Sequence, residues 1–142
     1  MIKDYRSASV QILFQTEFQK LQLNDVRGSF FLKSNLKTSI KSRITVLTDQ
    51  VTRLRLRLDY IIKHTSGKKK NQIELRFLSI LRIAVYEILF DYRVPNYAAV
   101  SSAVNLSKQF VNKKSAGFAN AVLRKIIRRV ESNPRWIENL SL

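Results

Sequence analysis

Residues 115–130 read S-A-G-F-A-N-A-V-L-R-K-I-I-R-R-V, and this stretch decides the architecture of the chain. At helical spacing its apolar residues fall on two adjacent lines that form one broad face. These residues are Phe118, Val122, Ile126 and Val130 on one line and Ala119, Leu123 and Ile127 on the other. The opposite side holds Arg124, Lys125, Arg128 and Arg129. We therefore predict a helix, capped by Ser115, that buries one face and presents cations on the other.

The rest of the chain shows the helix start and stop signals of an all-α protein with short connections. Residues 39–64 keep an apolar stripe in steps of three and four, which predicts one long helix and is also compatible with a coiled-coil dimer. Residues 73–90 are apolar over more than half of their girth, which predicts a central helix opened by a capping box of Asn71 and Glu74. Glycine and proline lie at apparent joints, namely Gly28, Gly67, Pro95 and Pro134.

The N-terminal third is less regular. Residues 4–23 predict a first helix, and the next stretch, residues 26–38, predicts either a brief helix or an ordered loop. The apolar stripe expected on the first helix consists of Val10, Leu13, Phe14, Phe18 and Leu21. At the other end of the chain, Trp136 is expected to pack on the body of the protein.

Length and charge limit the class of function. The chain has 142 residues, of which 45% are apolar, so we expect residues 1–142 to form a single globular domain. Lys and Arg number 26 against 10 Asp and Glu, a formal net charge of +16. Such an excess is typical of a chain whose partner is a polyanion, with nucleic acid the first candidate and an anionic membrane surface the second. A proteome that is basic throughout is the simpler alternative.

The residue types needed for catalysis are scarce. The sequence has no Cys and a single His, His64, which leaves neither a thiolate site nor a His cluster for a metal. Phosphate-binding glycine loops and nucleophile motifs do not occur, and the acids form no close pair. No apolar run approaches the roughly 20 residues that span a bilayer. We therefore predict a cytoplasmic, non-enzymatic protein without cofactor or metal.

Cations and aromatic side chains supply a binding surface instead. Arg6, Lys113 and Lys114 lie near the starts of the first and last long helices, and Arg124 and Arg128 follow one turn apart. These cations would converge on one surface if the two helices are neighbours, as phosphate contacts require. Single-stranded RNA also needs faces for its bases to stack on. The candidate faces, which could equally be core residues, are Tyr5, Phe14, Tyr97 and Phe118.

Three blocks in this order resemble the NusB family of small helical RNA-binding domains. They are L-R-I-A-V-Y-E-I-L at residues 81–89, V-P at residues 94–95 and F-A-N-A-V-L-R-K-I at residues 118–126. Residues 6–15, R-S-A-S-V-Q-I-L-F-Q, look like the opening helix of that family. The resemblance covers about residues 5–130 and implies about seven helices in two packed bundles.

The resemblance also implies a function. The family includes a transcription antitermination factor that binds single-stranded leader RNA of ribosomal RNA transcripts together with ribosomal protein S10, also called NusE. Carried onto this sequence, the RNA contacts would involve Lys3, Arg6, Lys113, Lys114 and Phe118. The surface facing S10 would involve the central helix around Arg82 and Glu87.

Departures from the family pattern leave alternatives open. The N-terminal arm offers only Lys3 and Arg6, and N-K-K-S at residues 112–115 replaces the acids common in antitermination factors. The last long helix and N-P-R-W-I at residues 133–137 look more like the N-terminal domain of the ribosomal RNA cytosine-5 methyltransferase called RsmB or Sun. A stand-alone RNA-binding module of that type is therefore a second hypothesis. A helical scaffold or homodimer without an RNA role is a third.

Overall fold

The computed structural model describes residues 4–139, except for the side chain of Asn139, and shows an all-helical protein. The helices are α1 Tyr5–Gln19, α2 Leu23–Lys33, α3 Thr38–Arg53, α4 Arg55–Ser66, α5 Leu75–Phe90, α6 Asn96–Phe110 and α7 Lys113–Ser132. Single 3-10 turns span Lys70–Gln72 and Ile137–Asn139. No β-strand occurs within residues 4–139. The prediction of an all-α fold with about seven helices is confirmed.

The helices belong to two compact units, Met1–Leu54 and Arg55–Leu142. In the first unit, α1 packs on α2 and α3. In the second unit, α5 contacts α4, α6 and α7, as expected of a helix that is apolar over most of its girth. Two packed helical bundles were therefore correctly predicted. That residues 1–142 act as one domain stays a prediction.

The single long helix predicted over residues 39–64 is wrong. Leu54 separates α3 from α4, with backbone angles φ −97° and ψ 10°. Its N–H still bonds to the carbonyl of Gln50 at 3.0 Å. The break is invisible in the sequence because the apolar period continues through it: Val51 and Leu58 are both buried. Since the stripe is buried within the chain itself, it is not available to a coiled-coil partner.

The first two helices differ from their predictions. The apolar stripe expected on the first helix is not buried at its C-terminal end. Phe18 is 67% exposed, and Leu21, which lies beyond the end of α1, is 50% exposed. Burial is concentrated in the first turns of α1, where small side chains such as Ala8 are fully buried. The uncertain stretch after it is a regular helix, α2, and Gly28 lies inside that helix and not at a joint.

A buried arginine joins α2 to α3. Arg27, only 9% exposed, donates through one nitrogen to the hydroxyl of Thr48 at 2.9 Å and to a carboxylate oxygen of Asp49 at 2.8 Å. Its other terminal nitrogen donates to Asn24 Oδ1 at 2.8 Å. These bonds compensate the desolvation of the guanidinium and fix the register of the two helices.

The central helix α5 is capped differently from the prediction. Glu74 is its N-cap, and its carboxylate accepts from the backbone N–H groups of Arg76 at 2.9 Å and Phe77 at 3.0 Å. Asn71 lies in the preceding 3-10 turn, so the predicted capping box is wrong. Glu74 takes the capping role because its two oxygens satisfy two of the free N–H groups at once and place an anion at the positive end of the helix.

A second buried arginine joins α4 to α5. Arg82 Nε lies 2.7 Å from Asp59 Oδ1, and its terminal nitrogen lies 2.9 Å from Asp59 Oδ2. The two bonds make the pair bidentate. The side chains are 4% and 11% exposed, so the pair is almost completely desolvated. The orientation of α4 on α5 therefore depends on this ion pair as well as on apolar packing.

Two glycines are expected to respond oppositely to substitution by Ala. Gly28 lies inside α2, where a Cβ would meet nothing within 4 Å, so Gly28→Ala should raise the free energy of unfolding by about 0.5–1 kcal/mol. Gly67 has φ +76°, so Gly67→Ala should lower it by about 1–2 kcal/mol. Urea denaturation of both variants measures the two changes. Shifts of the same sign would contradict the assigned backbone conformations.

Candidate nucleic-acid interface

The N-terminus of α7 presents two lysines. Asn112 is the N-cap, and its Oδ1 accepts from the N–H of Ser115 at 2.8 Å, so the predicted cap at Ser115 is wrong by three residues. Lys113 and Lys114 consequently lie within the first turn of α7, and both are exposed. No acid occurs in that turn. Two cations at the positive end of a helix dipole are unfavourable without a ligand and are relieved by a bound anion.

Next to Lys114, the ring of Phe118 forms one wall of an open cleft. The ring is half-buried and packs edge-on against Phe77, with the ring centroids 5.9 Å apart. Lys68 Nζ lies 5.2 Å from the centroid of the Phe118 ring, in the geometry of a cation–π contact. The cleft has a volume of about 170 Å³. It is lined by Lys68, Gln72, Ile73, Glu74, Phe77, Lys114, Ser115 and Phe118.

Lys68 reaches this Phe118 cleft through an ordered loop. The left-handed Gly67 turns the chain after α4, and the N–H of Lys68 donates to Ser66 Oγ at 3.1 Å. The N–H of Lys69 donates to Gln72 Oε1 at 2.9 Å. The loop therefore holds part of the lysine run 68–70 against α7. The sequence offered no sign of this contact, because Lys68 and Phe118 are 50 positions apart in the chain.

Arg124 does not join the Phe118 cleft. Its Nε donates to Asn120 Oδ1 at 3.0 Å, and both side chains line a separate groove between α6 and α7. Arg128 is exposed one turn further along. The structure thus brings together Lys114 and Phe118 of the predicted set, and places Arg124 on the other side of the same helix.

Two cations of α7 that were not predicted as site residues follow the side of Phe118. Lys125 and Arg129 lie 7 and 11 positions after Phe118, which is helical spacing for one face. Lys125 Nζ contacts the carbonyl of Thr65 at 3.4 Å. The guanidinium of Arg129 lies 5.5 Å from the ring centroid of Trp136, which is buried as predicted. Their internal contacts leave both side chains exposed.

Of the N-terminal candidates, Arg6 lies in the first unit. Lys3 is outside the described residues. Arg6 is half-exposed, with its guanidinium 4.8 Å from the ring centroid of Tyr5, and Arg43 lies 3.8 Å from the same centroid. Tyr5 is only 7% exposed, so its ring is a core residue and not a free stacking face. That Arg6 acts on the same ligand as Lys113 and Lys114 stays a prediction.

Comparison with known proteins identifies the family. The family model described as the NusB family matches residues 3–128. The chain belongs to the NusB family. A curated relative, the transcription antitermination protein NusB of Ruminiclostridium cellulolyticum, is 31% identical over 122 residues, which cover 85% of this chain and 84% of the relative. The resemblance of the three sequence blocks is thereby confirmed.

Solved NusB structures share the fold. NusB of T. maritima superposes with a TM-score of 0.82 at 22% identity and covers 96% of this chain and 95% of its own. A chain of the complex of antitermination factors NusB and NusE with dsRNA has a TM-score of 0.81 at 19% identity and covers 88% and 94%. At this identity the superpositions establish the NusB fold of the chain.

The residues expected to face a protein partner are interior residues in this NusB-family chain. Arg82 is 3% exposed and Glu87 is 1% exposed. Arg82 is bonded to Asp59, as described above. Burial argues against direct contact of either side chain with a partner, and the idea that the surrounding surface makes such a contact stays a prediction.

Two further observations concern metal binding and membrane insertion. His64 is exposed in the last turn of α4, with its ring 4.2 Å from that of Tyr60, and takes part in no metal-ligating cluster within the described part of the chain. Among the helices of residues 4–139, none is both long and apolar enough to cross a membrane.

Proposed function

We propose that this chain is an RNA-binding transcription antitermination factor of the NusB type that acts on ribosomal RNA transcripts in the cytoplasm without catalysing a reaction. The observation that supports it most is the Phe118 cleft, where an aromatic ring packed on Phe77 and two lysines, Lys68 and Lys114, line one recess. The chain belongs to the NusB family, and a curated relative is a transcription antitermination protein, which also supports the proposal.

The chemistry of the Phe118 cleft suits a nucleotide of single-stranded RNA. An aromatic ring held by Phe77 offers a face or edge to an unstacked base, and such stacking tolerates any base. Lys68 and Lys114 line the same cleft, and we propose that they pair with phosphates of the bound strand. The one acid that lines the cleft, Glu74, is engaged by two backbone N–H groups as a helix cap. Its charge is therefore partly compensated and opposes the RNA less than a free carboxylate would.

The proposed RNA-contacting set extends beyond the cleft. Lys113 and Phe118 contribute from α7 with Lys114, and Arg128 adds an exposed cation farther along the same helix. From the first unit and its N-terminus, Arg6 and Lys3 are proposed to contribute charge. Arg124 is proposed to contact RNA from the separate groove between α6 and α7.

We further propose that the protein pairs with ribosomal protein S10. A structural relative was solved as NusB with NusE and dsRNA. We propose that S10 contacts the surface around α5. Arg82 and Glu87 are buried residues of that helix, so their role would be to stabilise it. If S10 raises the affinity of the protein for RNA, RNA must raise its affinity for S10 by the same factor.

Reversing the charge of two lysines is expected to weaken RNA binding. In Lys113→Glu with Lys114→Glu, affinity for a single-stranded ribosomal RNA leader should fall roughly tenfold or more at near-physiological salt, because cations that meet phosphates become anions. The slope of log affinity against log salt should become shallower by about 0.7 for each lost phosphate contact. Fluorescence anisotropy over a salt series, with and without S10, measures both changes.

A matched control separates local contact from net charge. Lys33→Glu with Lys37→Glu makes the same change in charge at two exposed lysines of the first unit and should leave affinity within about twofold. Equal losses in both double variants would overturn the assignment of the cleft. Affinity that S10 leaves unchanged, with retained binding to folded ribosomal RNA, would favour the methyltransferase-type module. A dimer without RNA affinity would favour the scaffold.

A further inference from the structure

A second recess of unit 2 lies between α6 and α7, away from the Phe118 cleft. It is an open groove of about 450 Å³, the size range of small-ligand sites. Val100 and Ile127 form part of its apolar lining. The two helices pack on each other, and each buries a small residue, Ala103 of α6 and Ala119 of α7, which permits close packing. Of its lining residues, Arg124 alone belongs to the RNA-contacting set proposed above, and none of the residues that line the Phe118 cleft contributes to it.

Three amide side chains supply hydrogen-bonding groups to the groove. Asn96, Asn105 and Asn120 all line it, and each offers a carbonyl oxygen and an NH₂ group. That pairing of acceptor and donor matches the edges of nucleobases, for which Asn is a common partner. Asn120 already accepts from Arg124 through Oδ1, so its NH₂ group is the part that remains for a ligand.

An aromatic face and a positioned cation complete the groove. Tyr97, in the first turn of α6, is 78% exposed and lines the groove beside Asn96. Arg124 is held by Asn120 through Nε, which leaves its two terminal nitrogens as donors for a phosphate. Glu131 is the one acid in the lining, and it repels phosphate while accepting from the amino groups of bases.

We propose that the α6–α7 groove is a second RNA site, which takes one unpaired nucleotide of the strand already bound in the Phe118 cleft. The base stacks on Tyr97 and is read by the Asn side chains, and the phosphate pairs with Arg124. This inference rests on the proposed function, since it requires that RNA is the ligand of α7. Cations at both sides of one helix then hold two separated nucleotides of the same strand.

Charge favours RNA over a peptide as the occupant. The chain has a formal net charge of +16, and Arg128 adds a further exposed cation one turn beyond Arg124 on α7. A polyanionic strand gains from this field along its whole length, whereas a peptide would have to be strongly acidic to gain as much.

Photocrosslinking and a length series test the proposal together. Single-stranded ribosomal leader RNAs of roughly 6 to 16 nucleotides, carrying 5-iodouridine at successive positions, are bound to the full chain. Irradiation should attach the longer RNAs to the peptide containing Tyr97, as mass spectrometry would show. In anisotropy titrations, Tyr97→Ala should lose about 5- to 100-fold in affinity for the longer RNAs and leave the shortest unaffected.

Two tyrosine variants serve as controls. Tyr97→Phe keeps the stacking face and should bind the longer RNAs nearly as well as the wild type. Tyr92→Ala removes a tyrosine that is 95% exposed in the turn before α6 and lies outside the groove lining, and it should have no effect on any RNA. A loss in Tyr92→Ala equal to that in Tyr97→Ala would overturn the groove as a site.

The failures are distinguishable. If Tyr97→Ala binds all lengths like the wild type and Tyr97 gives no crosslink, the groove proposal fails and the proposed function stands. Loss of S10 affinity in Tyr97→Ala with unchanged RNA affinity would make the groove a protein site and overturn the RNA proposal. If the wild type binds none of the RNAs, the proposed function fails and the groove proposal fails with it.

Discussion

Replacing Arg82 by Met is expected to lower the free energy of unfolding by about 3–5 kcal/mol. The substitution leaves the carboxylate of Asp59, 11% exposed, without its bidentate partner at 2.7 and 2.9 Å. A buried charge without a partner keeps its desolvation penalty and loses the Coulombic attraction that offset it. Urea denaturation followed by circular dichroism measures the loss.

Two further variants test that explanation. Adding Asp59→Leu to Arg82→Met removes the stranded carboxylate, so the double variant should be more stable than Arg82→Met alone. Arg135→Met breaks a pair with Glu138 at 3.0 Å whose side chains are 81% and 65% exposed, and should change stability by less than about 1 kcal/mol. A double variant less stable than Arg82→Met would show that the buried charge is not the cause.

The second large effect is expected in the core of unit 2. Leu123→Ala should lower the free energy of unfolding by about 2–5 kcal/mol, because Leu123 is fully buried on α7 and its truncation leaves a cavity that the surrounding helices fill only in part. The same denaturation experiment measures the loss. The RNA affinity of the folded variant should be preserved, because a fully buried side chain cannot contact a ligand.

Leu32→Ala is the matched control for this cavity. Leu32 is also helical but 90% exposed, so the same substitution should change stability by less than about 0.5 kcal/mol. Because both positions exchange Leu for Ala within a helix, the difference between them isolates burial from helix propensity. Comparable losses at the two positions would contradict the assigned faces of α2 or α7.

Periodicity in the sequence predicted those helices whose burial follows a simple pattern. The helix of residues 75–90 and the apolar face of residues 115–130 were both predicted, since each keeps one buried surface along its length. The break at Leu54 was missed because the stripe continues in phase on both sides. The buried face of the first helix was predicted incorrectly, because its buried turns hold small and polar residues such as Ser9, while its exposed last turn holds Phe18.

The candidate site was predictable only as far as single helices allow. Lys114 and Phe118 are four positions apart on α7, so helical spacing alone brings them together. Lys68 joins them through a loop that local sequence cannot place, whereas Arg124 lies on the other side of α7, where its Nε donates to Asn120. The polar networks of Arg27 and Arg82 were likewise unpredicted, since hydrogen bonds between helices leave no periodic trace.

The contrast between exposed lysines and a fixed aromatic ring has a kinetic consequence. Lys113 and Lys114 are exposed at the start of α7, so we expect them to attract an approaching RNA before contact and to govern an association rate that falls steeply with ionic strength. The ring of Phe118 is held by Phe77 and, in the proposed complex, would meet the RNA only after docking, so we expect it to govern the residence time, which should depend little on salt. Capture of a nascent transcript and retention on it are thus separate properties of neighbouring residues on one helix.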